Sequence, residues 1–480
     1  MTVNVVDLPL GNGFYIAESL PVSSQLCTNM YPNYPETQGI SQAQLYPSPG
    51  IIELTTTGPQ PEEANRGAYE FSGNAYFVNG NRLYFVDATG NQTDLGFIDG
   101  SGRVSIADNG TQMCIVVPST GIGYIYDKTN GLQQITDTDF TANGNAEIVV
   151  FVDGYFVFTT ASKRFFISNL NNGLVYDALD FGSAEADPDI IRSAHVHKNQ
   201  LYIFGSQTIE VFQNVGGVGF PFQRISGFVI PKGITSPFSV AEFDNTFCFI
   251  GQGANETPRI YAFTGSGVQE ISHTAIESLL QQSTTLEDTF VFTYSFRGAR
   301  FIGWSGQGGT IIYDSKASAL GGKKVWHQRT SSNVEGSTRW RISSLITAYD
   351  KLLVGDSVDG RIGVLESDVY TEYGNNINRV FRTITLENNS MPAYFGYFEV
   401  IAETGLGLPD NTDPLIGMTY SDDAKNYIST RYRSAGKQGE YSRKIRWQQL
   451  GRTSRWRIFE ISMSDPIRWV INKITMEIQS

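Results

Sequence analysis

Histidine is scarce in this sequence, and one pair of histidines has a spacing that could serve chemistry. His195 and His197 stand two residues apart in an alternating run that predicts a strand, so both imidazoles face the same way. Two imidazoles on one side could supply two ligands to a metal ion, but no third ligand accompanies them at a characteristic spacing. The pattern favours polar side chains at a sheet edge, and we predict no metal site.

Acidic clusters are the second candidate for chemistry. They comprise Asp137 and Asp139 in one stretch and Glu185, Asp187 and Asp189 in another. Paired carboxylates could act in glycoside hydrolysis or bind Ca²⁺. Both clusters lie in predicted loops beside polar residues or proline, where acidic side chains are ordinary. An enzyme of the glycosidase or lactonase type is therefore an alternative hypothesis, and its candidate residues are Asp187 and Asp189.

The familiar sequence signatures of catalysis are missing. The sequence has no phosphate-binding P-loop, no HExxH zinc motif, no GxSxG nucleophile motif and no glycine-rich dinucleotide fingerprint. Its three cysteines, Cys27, Cys114 and Cys248, are far apart, which predicts buried thiols and neither a disulfide framework nor a metal site. Residues 421–427 resemble a degenerate Asp-box, a structural hairpin turn. We predict a protein that is not an enzyme, has no catalytic residues and binds no cofactor.

Basic residues are concentrated near the end of the chain. Residues 431–457 contain nine bases and one acid, a local net charge of +8 in a chain whose formal net charge is −13, so the other residues sum to −21. A basic block on an acidic chain predicts a docking surface for an acidic partner, such as another subunit. Its assigned members are Arg431, Arg433, Arg443, Lys444, Arg446, Arg452 and Arg455. The alternative is a solvated strand face whose charges are paired locally.

The elements that would position these residues come from a repeat of short strands. From about residue 66, an alternating aromatic and aliphatic strand recurs after tight turns near Gly73, Asn109, Asp153, Lys198, Asp244, Arg297 and Tyr349. Successive turns are 36 to 53 residues apart, and such a period predicts a β-propeller. Seven turns indicate seven blades, or six if the first unit closes the ring with the last. A tandem array of β-sandwiches is the alternative architecture.

The whole chain is predicted to be all-β, with three parts. Residues 1–60 contain seven prolines and form an extended arm, residues 61–370 form the propeller, and residues 371–480 form a separate antiparallel β domain built from the terminal segments. Trp447, Trp456 and Trp469 would supply the core of that domain. No stretch approaches about 18 uninterrupted apolar residues, so we expect no membrane insertion, and the first residues do not predict a signal peptide.

Aromatic residues offer a second alternative function. If Tyr31, Tyr34 and Trp326 are exposed, they would suit a propeller that binds carbohydrate or a receptor. The acidic balance of the chain argues against wrapping duplex DNA by neutralising its phosphates.

Two groups of short motifs near the ends of the chain resemble those of a known family. The first is CTNMYP at 27–32 with LYPSPG at 45–50, and the second is YSDD at 420–423, GEY at 439–441, LGR at 450–452 and SDP at 464–466. In order and spacing they are similar to the packaged-DNA stabilisation proteins, the tail accessory or nozzle subunits of short-tailed bacteriophages. The two groups bracket the repeat, so the resemblance covers nearly the whole chain.

This resemblance implies a function and a set of partners. Such subunits carry a β-propeller and form a ring, a hexamer, below the portal–adaptor ring. The ring retains packaged DNA and forms the channel for its ejection, through which double-stranded DNA passes without sequence-specific binding. The same subunits attach tailspikes and the tail needle. By resemblance, the chain would be a structural protein of the virion tail, made in the host cytoplasm, and an acidic channel wall would let DNA slide with little adhesion.

Overall fold

The N-terminal arm consists of short strands that join sheets elsewhere in the molecule. The computed structural model describes residues 3–37, 39–54, 63–187, 189–217, 219–331, 339–389 and 391–479. The arm contains β1 (Val3–Leu8), β2 (Tyr15–Ile16), β3 (Ser24–Thr28), β4 (Met30–Asn33), β5 (Gln44–Pro47) and β6 (Gly50–Glu53). Its prolines fit this extended course, because proline fixes φ and cannot donate a backbone hydrogen bond.

Blades one to four are consecutive four-stranded antiparallel sheets. Blade one contains β7 (Asn65–Phe71), β8 (Asn74–Asn79), β9 (Arg82–Val86) and β10 (Gln92–Phe97), and blade two contains β11 (Ser105–Asp108), β12 (Met113–Val117), β13 (Ile122–Asp127) and β14 (Gly131–Gln134). The short helix α1 (Thr138–Ala142) follows. Blade three contains β15 (Ala146–Val152), β16 (Tyr155–Thr160), β17 (Arg164–Asn169) and β18 (Asn172–Ser183), and blade four contains β19 (Ile191–His197), β20 (Gln200–Gly205), β21 (Ile209–Asn214) and β22 (Phe222–Ile230).

Blades five to seven differ from the simple four-stranded sheets of the first four blades. Blade five has an interrupted inner strand, β23 (Gly233–Ile234) and β24 (Ala241–Phe243), followed by β25 (Thr246–Gln252), β26 (Arg259–Phe263), β27 (Val268–Glu270) and the helix α2 (Thr274–Gln282). Blade six contains β28 (Phe290–Phe296), β29 (Ala299–Gly306), β30 (Gly309–Asp314), the helix α3 (Ser315–Gly321) and β31 (Trp326–Arg329). Blade seven contains β32 (Ile342–Ala348), β33 (Lys351–Asp356) and β34 (Ile362–Glu366).

Apolar side chains between neighbouring blades hold the seven sheets in a closed ring. Seven buried clusters each lie between two successive sheets, which explains why the middle strands are near-continuously apolar. The ring closes where Leu353 and Val364 of blade seven pack against Phe77 of blade one. The predicted β-propeller is confirmed, and it has seven blades.

A strand from the arm completes blade seven. Strand β6 pairs antiparallel with β34, so that Ile51 lies opposite Leu365 and Ile52 opposite Val364. Ile51 is fully buried, whereas 41% of the Ile52 side chain is exposed. The first repeat unit is therefore a blade of its own, and the arm, not that unit, closes the ring.

The hairpin turn that opens each blade uses backbone in the left-handed region. Among the predicted turn residues, φ is positive at Gly73, Asp153, Lys198, Asp244, Arg297 and Tyr349. At the second turn, the residue with positive φ is Gly110, one position after the predicted Asn109. Positive φ matches the right-handed twist of two-residue hairpins, and glycine, Asn and Asp reach it at low cost.

The residues after the propeller form a β-sandwich together with strands of the arm. Strands β35 (Thr371–Glu372) and β36 (Asn375–Asn376) extend blade seven, and the sandwich adds β37 (Arg379–Arg382), β38 (Leu386–Glu387), β39 (Ala393–Ala402), β40 (Leu415–Ser421), β41 (Arg431–Ser434), β42 (Ile445–Thr453), β43 (Trp456–Met463) and β44 (Ile471–Gln479). One sheet has the order β4-β5-β44-β39-β42, with β1 also on β44. The other runs β3-β37-β43-β40-β41 and continues into blade six through β31.

The core of the sandwich lies between these two sheets. Trp447 and Trp469 are fully buried there, packed with apolar residues of the arm such as Met30 and Leu45. Trp456 is only half-buried and does not belong to the core cluster, so its predicted place there is wrong. It begins β43 and pairs with Glu387 at the end of the two-residue strand β38.

Candidate partner-binding surface

The basic segment occupies the side of the sandwich where both sheets end. Strand β41 is the last strand of one sheet and β42 the last strand of the other. Side chains tie the two edges together: Arg431 donates to the Gln448 carbonyl (3.0 Å) and Arg433 to the Arg446 carbonyl (3.2 Å). The indole of Trp447 donates to the Arg431 carbonyl (2.8 Å). The bases therefore follow two adjacent edges on one side of the domain.

The seven assigned residues are spread along one strip. Arg443 and Lys444 precede β42, Arg446 and Arg452 lie on it, Arg455 follows it, and Arg431 and Arg433 lie beside it on β41. Nine strand residues at about 3.4 Å each give the strip a length of about 30 Å. We call Arg431, Arg433, Arg443, Lys444, Arg452 and Arg455 the basic strip.

Two bases of the segment are paired within the chain. Arg446 donates to Glu399 of the neighbouring strand (3.0 Å) and stacks on the Tyr397 ring at 4.1 Å. Arg457 is buried and forms an ion pair with Asp422 (2.7 Å). Local pairing thus accounts for part of the segment, and Arg446 differs from the other assigned residues because its charge is neutralised.

Five of the six residues of the basic strip face solvent, and the sixth, Arg431, is half-buried. Arg433, Arg443, Lys444, Arg452 and Arg455 are exposed, and the structure records no ion pair for them with any described carboxylate. Two exposed tyrosines lie among them, Tyr432 (58% exposed) and Tyr441 (75% exposed). Arg and Tyr are enriched in protein interfaces, so the strip has the composition of a docking surface. The sequence reasoning missed the tyrosines, whose only signal was their position between the bases.

The histidine pair forms a hydrogen-bond network between two blades. The ring nitrogens of His195 and His197 lie 3.1 Å and 2.8 Å from the two carboxylate oxygens of Glu242 in blade five. Burial opposes ionisation of Glu242, but hydrogen bonds from both histidines outweigh it and hold the pKa of Glu242 below its usual range. Within the described ranges, no three His, Cys, Asp or Glu side chains are arranged to hold a metal ion.

The acidic clusters mostly stabilise turns. Asp137 caps α1 by accepting from the Asp139 backbone N–H (2.8 Å), and Asp189 accepts from the Gln207 and Thr208 backbone N–H groups. In the predicted Asp-box, Asp423 accepts hydrogen bonds from the Asn426 backbone and side chain, which lower its pKa. Asp423 is thus held within its own turn, whereas Asp189 ties its loop to the turn between β20 and β21, and Asp137 also accepts from the Tyr176 backbone N–H of β18.

The aromatic residues proposed for glycan or receptor binding are largely covered. Trp326 is fully buried, and Tyr31 is 2% exposed. The Tyr34 hydroxyl is half-buried and donates to the Gly11 carbonyl (2.8 Å). The expectation that these rings are exposed is wrong, because the arm and blade six pack against each other and enclose them.

The side chain of Arg103 reaches across the hole of the propeller. Arg103 leads into blade two, yet its guanidinium donates to the Ser343 carbonyl of blade seven and lies 3.8 Å from the centroid of the Phe290 ring of blade six. Burial, reinforced by nearby Arg339, lowers the pKa of Arg103 to about 9. Nothing in the local sequence singled out this arginine, because its partners are more than 180 residues away.

A cavity of about 600 Å³ lies beside Arg103 at one end of the hole. Its charged lining residues include Glu147, Glu287 and Arg339. Burial raises the pKa of Glu147, while Glu287 is ion-paired with Arg192. Asp187 and Asp189, the acids assigned to a possible enzyme, do not line this cavity.

Two family models match consecutive parts of the chain. The model described as "Bacteriophage P22 Gp10, beta-propeller" matches residues 6–370, and the model described as "Bacteriophage P22 Gp10, beta-sandwich" matches residues 378–479. Among curated proteins, the chain is similar to "Tail hub protein gp10" of Salmonella phage P22, with 21% identity over 393 residues, covering 79% of this chain and 80% of that protein.

Two solved structures illustrate the matches to this chain. The WD40 β-propeller domain of Doa1 is 14% identical, with a TM-score of 0.40, over 67% of this chain and 98% of that one. A streptogramin B lyase is 11% identical, with a TM-score of 0.41, over 66% of this chain and 97% of that one. In the described part of the chain, no helix has the length and apolarity needed to cross a membrane. Because the two family models together span nearly all of its length, the chain belongs to the Bacteriophage P22 Gp10 family.

Proposed function

We propose that this chain is a structural subunit of a phage tail hub. Copies of it form a ring, a hexamer, that retains packaged DNA in the virion and forms the channel for its ejection. Family membership and similarity to the tail hub protein of Salmonella phage P22 support a tail structural role. The geometric observation that carries the proposal is the basic strip. Its positive charges are exposed, while the residues outside 431–457 have a summed net charge of −21, and such a strip favours contact with an acidic neighbour.

The DNA channel of the proposed hub runs between subunits. Arg103 crosses the hole of each propeller, so the hole is not open to a duplex, whose major groove alone is about 12 Å wide. A duplex therefore has to pass through the centre of a ring of copies. The acidic balance of the chain supports passage without adhesion, because negative walls repel phosphates.

The proposed partners are other virion proteins. They are further copies of the chain, the portal–adaptor ring, the tailspike and the tail needle, and the chain would reach the virion tail after synthesis in the host cytoplasm. The seven assigned residues, Arg431, Arg433, Arg443, Lys444, Arg446, Arg452 and Arg455, would lie at the contact with a neighbouring copy or with the adaptor. Arg446 would act there indirectly, through its ion pair with Glu399.

The test is assembly on a purified portal–adaptor complex. We expect native mass measurement to show several copies added per complex, and electron microscopy to show a ring with a central channel. Reversing two exposed bases, Arg443→Asp with Arg452→Asp, should lower the number of copies bound while the circular dichroism spectrum stays unchanged. The matched control reverses two exposed bases on the propeller, Lys128→Asp with Lys198→Asp. A chain that stays monomeric and never joins the complex contradicts the proposal.

The enzyme alternative can be tested on the same protein. We propose that the chain has no hydrolytic activity, so a panel of glycosides and lactones should remain intact. If hydrolysis occurs, Glu147→Gln and Glu287→Gln are the informative variants, because these two acids line the propeller cavity. Hydrolysis by the parent chain that either substitution abolishes would support the enzyme and contradict a purely structural role.

A further inference from the structure

The outer edge of blade three combines exposed apolar and acidic side chains. Strand β18 is the outermost strand, and Val175 (40% exposed) and Leu179 (79% exposed) point away from the core. Residues 177–189 contain five acids and no base. Four of these acids, Asp177, Asp180, Glu185 and Asp187, make no ion pair within the described residues, and we call them the acidic edge.

A bulge pushes this edge outward. Residues 177–180 have no partner in the ladder between β17 and β18, and residues 225–228 leave the ladder of blade four in the same way. The blade-three bulge presents Leu179 between Asp177 and Asp180, and burial followed by the charge of Asp177 raises the pKa of Asp180. Bulges of this kind prevent strand addition, so a partner would dock on side chains and not extend the sheet.

The apolar surface continues onto blade four. The Phe220 ring, which precedes β22, packs against Gly182 of β18, and its centroid lies 5.5 Å from that of the Phe165 ring of β17, so the outer parts of blades three and four are in contact. Blade four has two exposed valines of its own around β22, Val215 (54% exposed) and Val229 (37% exposed). Monomers seldom expose contiguous apolar patches rimmed by charge unless the patch binds another protein.

The acidic edge and the basic strip lie on opposite sides of the propeller ring. The sandwich is joined to blades six and seven through β3 and β6. In a ring of seven blades, blade three lies across from the boundary between blades six and seven. The sandwich of one chain therefore cannot cover its own blade three, but the sandwich of a second copy can.

We infer that the basic strip of one copy docks on the acidic edge of the next. The two surfaces are complementary in charge, each offers exposed apolar or tyrosine side chains, and both follow a strand of about 30 to 40 Å. The contact joins different surfaces of two identical chains, so it repeats head to tail and closes into a ring when the rotation allows. This inference rests on the proposed self-assembly and names the two surfaces that meet.

Cross-linking two single-cysteine variants tests this contact. The three native cysteines are buried, so an introduced surface cysteine is the reactive thiol. One preparation carries Ala178→Cys in the blade-three bulge, and the other carries Ser442→Cys in the basic segment; both positions are exposed. After assembly on the portal–adaptor complex, a short bis-maleimide should link the mixture into covalent dimers. Neither variant alone should give them.

The control replaces the blade-three cysteine with one in the turn between β9 and β10 of blade one, Ala88→Cys, which is also exposed. Rings without cross-links between 178 and 442, or equal yields with Ala88→Cys, would overturn the inference and leave the hub proposal standing. The absence of both rings and cross-links would overturn both. Cross-linked dimers without rings would support the contact and contradict the hub.

Charge reversal provides an independent measurement. Asp177→Lys with Asp180→Lys should reduce the number of copies per complex at least severalfold. The same change in net charge at two exposed acids elsewhere, Glu18→Lys with Glu53→Lys, should leave it unchanged. Added salt should weaken the parent assembly, because the contact depends on exposed charges. Equal loss in both double variants would mean that net charge, and not this contact, controls assembly, and would overturn the inference.

Discussion

Closure of the propeller by the arm predicts a sharp difference between two adjacent isoleucines. Ile51 is fully buried between blade seven and its neighbours, whereas Ile52 on the same strand is 41% exposed. Ile51→Ala removes three buried carbons at about 0.8 kcal/mol each, and the cavity left behind brings the expected cost to about 2–5 kcal/mol. Ile52→Ala should cost about 1 kcal/mol and leave no closed cavity, because 41% of that side chain already contacts water.

The assay compares urea unfolding of the two variants with that of the parent chain, followed by tryptophan fluorescence. Both substitutions make the same chemical change in the same strand, so differences in β propensity and in the unfolded chain cancel. Limited proteolysis near residue 54 gives a second readout, because loss of β6 from blade seven would expose the arm. Equal destabilisation by the two variants, or a larger effect of Ile52→Ala, would refute closure of blade seven by β6 in this register.

Three further predictions concern buried charges and the basic strip. Burial raises the pKa of Asp314 from its ordinary 3.8 to about 7, so the native state binds a proton more readily than the unfolded chain, and stability from this group falls as pH rises between about 4 and 7. Asp314→Asn keeps an oxygen that caps the helix but cannot ionise. The free energy of unfolding of the variant, relative to that of the parent, should therefore increase from about pH 4 to about pH 7 when unfolding is measured at several pH values. A difference that stays constant with pH would contradict this. Asp356→Ala removes the shorter ion pair of buried Arg341 and leaves only its pair with Asp359 (3.5 Å), so it should cost about 3 kcal/mol, the low end for a broken buried pair, in the same unfolding assay. Reversal of Arg443 and Arg452 should make assembly on the portal–adaptor complex less sensitive to salt than that of the parent; an unchanged salt dependence would argue against the strip.

Local patterns predicted the blades well because a hairpin turn depends on a few neighbouring residues. Asp153, Lys198 and Asp244 stand where a two-residue turn needs positive φ, and the alternating runs after them become the buried middle strands. The period of the repeat then indicates the ring, because strands of this kind must be covered on both faces.

Contacts between residues far apart in the sequence could not be predicted from local patterns. Trp326 looked like a candidate for an exposed ring, but the arm packs on blade six and buries it. Arg446 looked like the other bases of its segment, but Glu399 on the neighbouring strand neutralises it. Arg103 had no local signal at all, and its contacts with Ser343 and Phe290 exist only because the ring brings blades two, six and seven around one hole.

By itself the sequence determined the all-β character, the period of the repeat and the concentration of bases in residues 431–457. These properties depend on residue type and on spacing along a short stretch of chain. Only the tertiary structure decided that β6 closes the ring, that the bases lie along two sheet edges, and that the acidic edge faces away from them. The reason is that burial and charge pairing depend on which segments meet in space, and those segments are separated by up to several hundred residues.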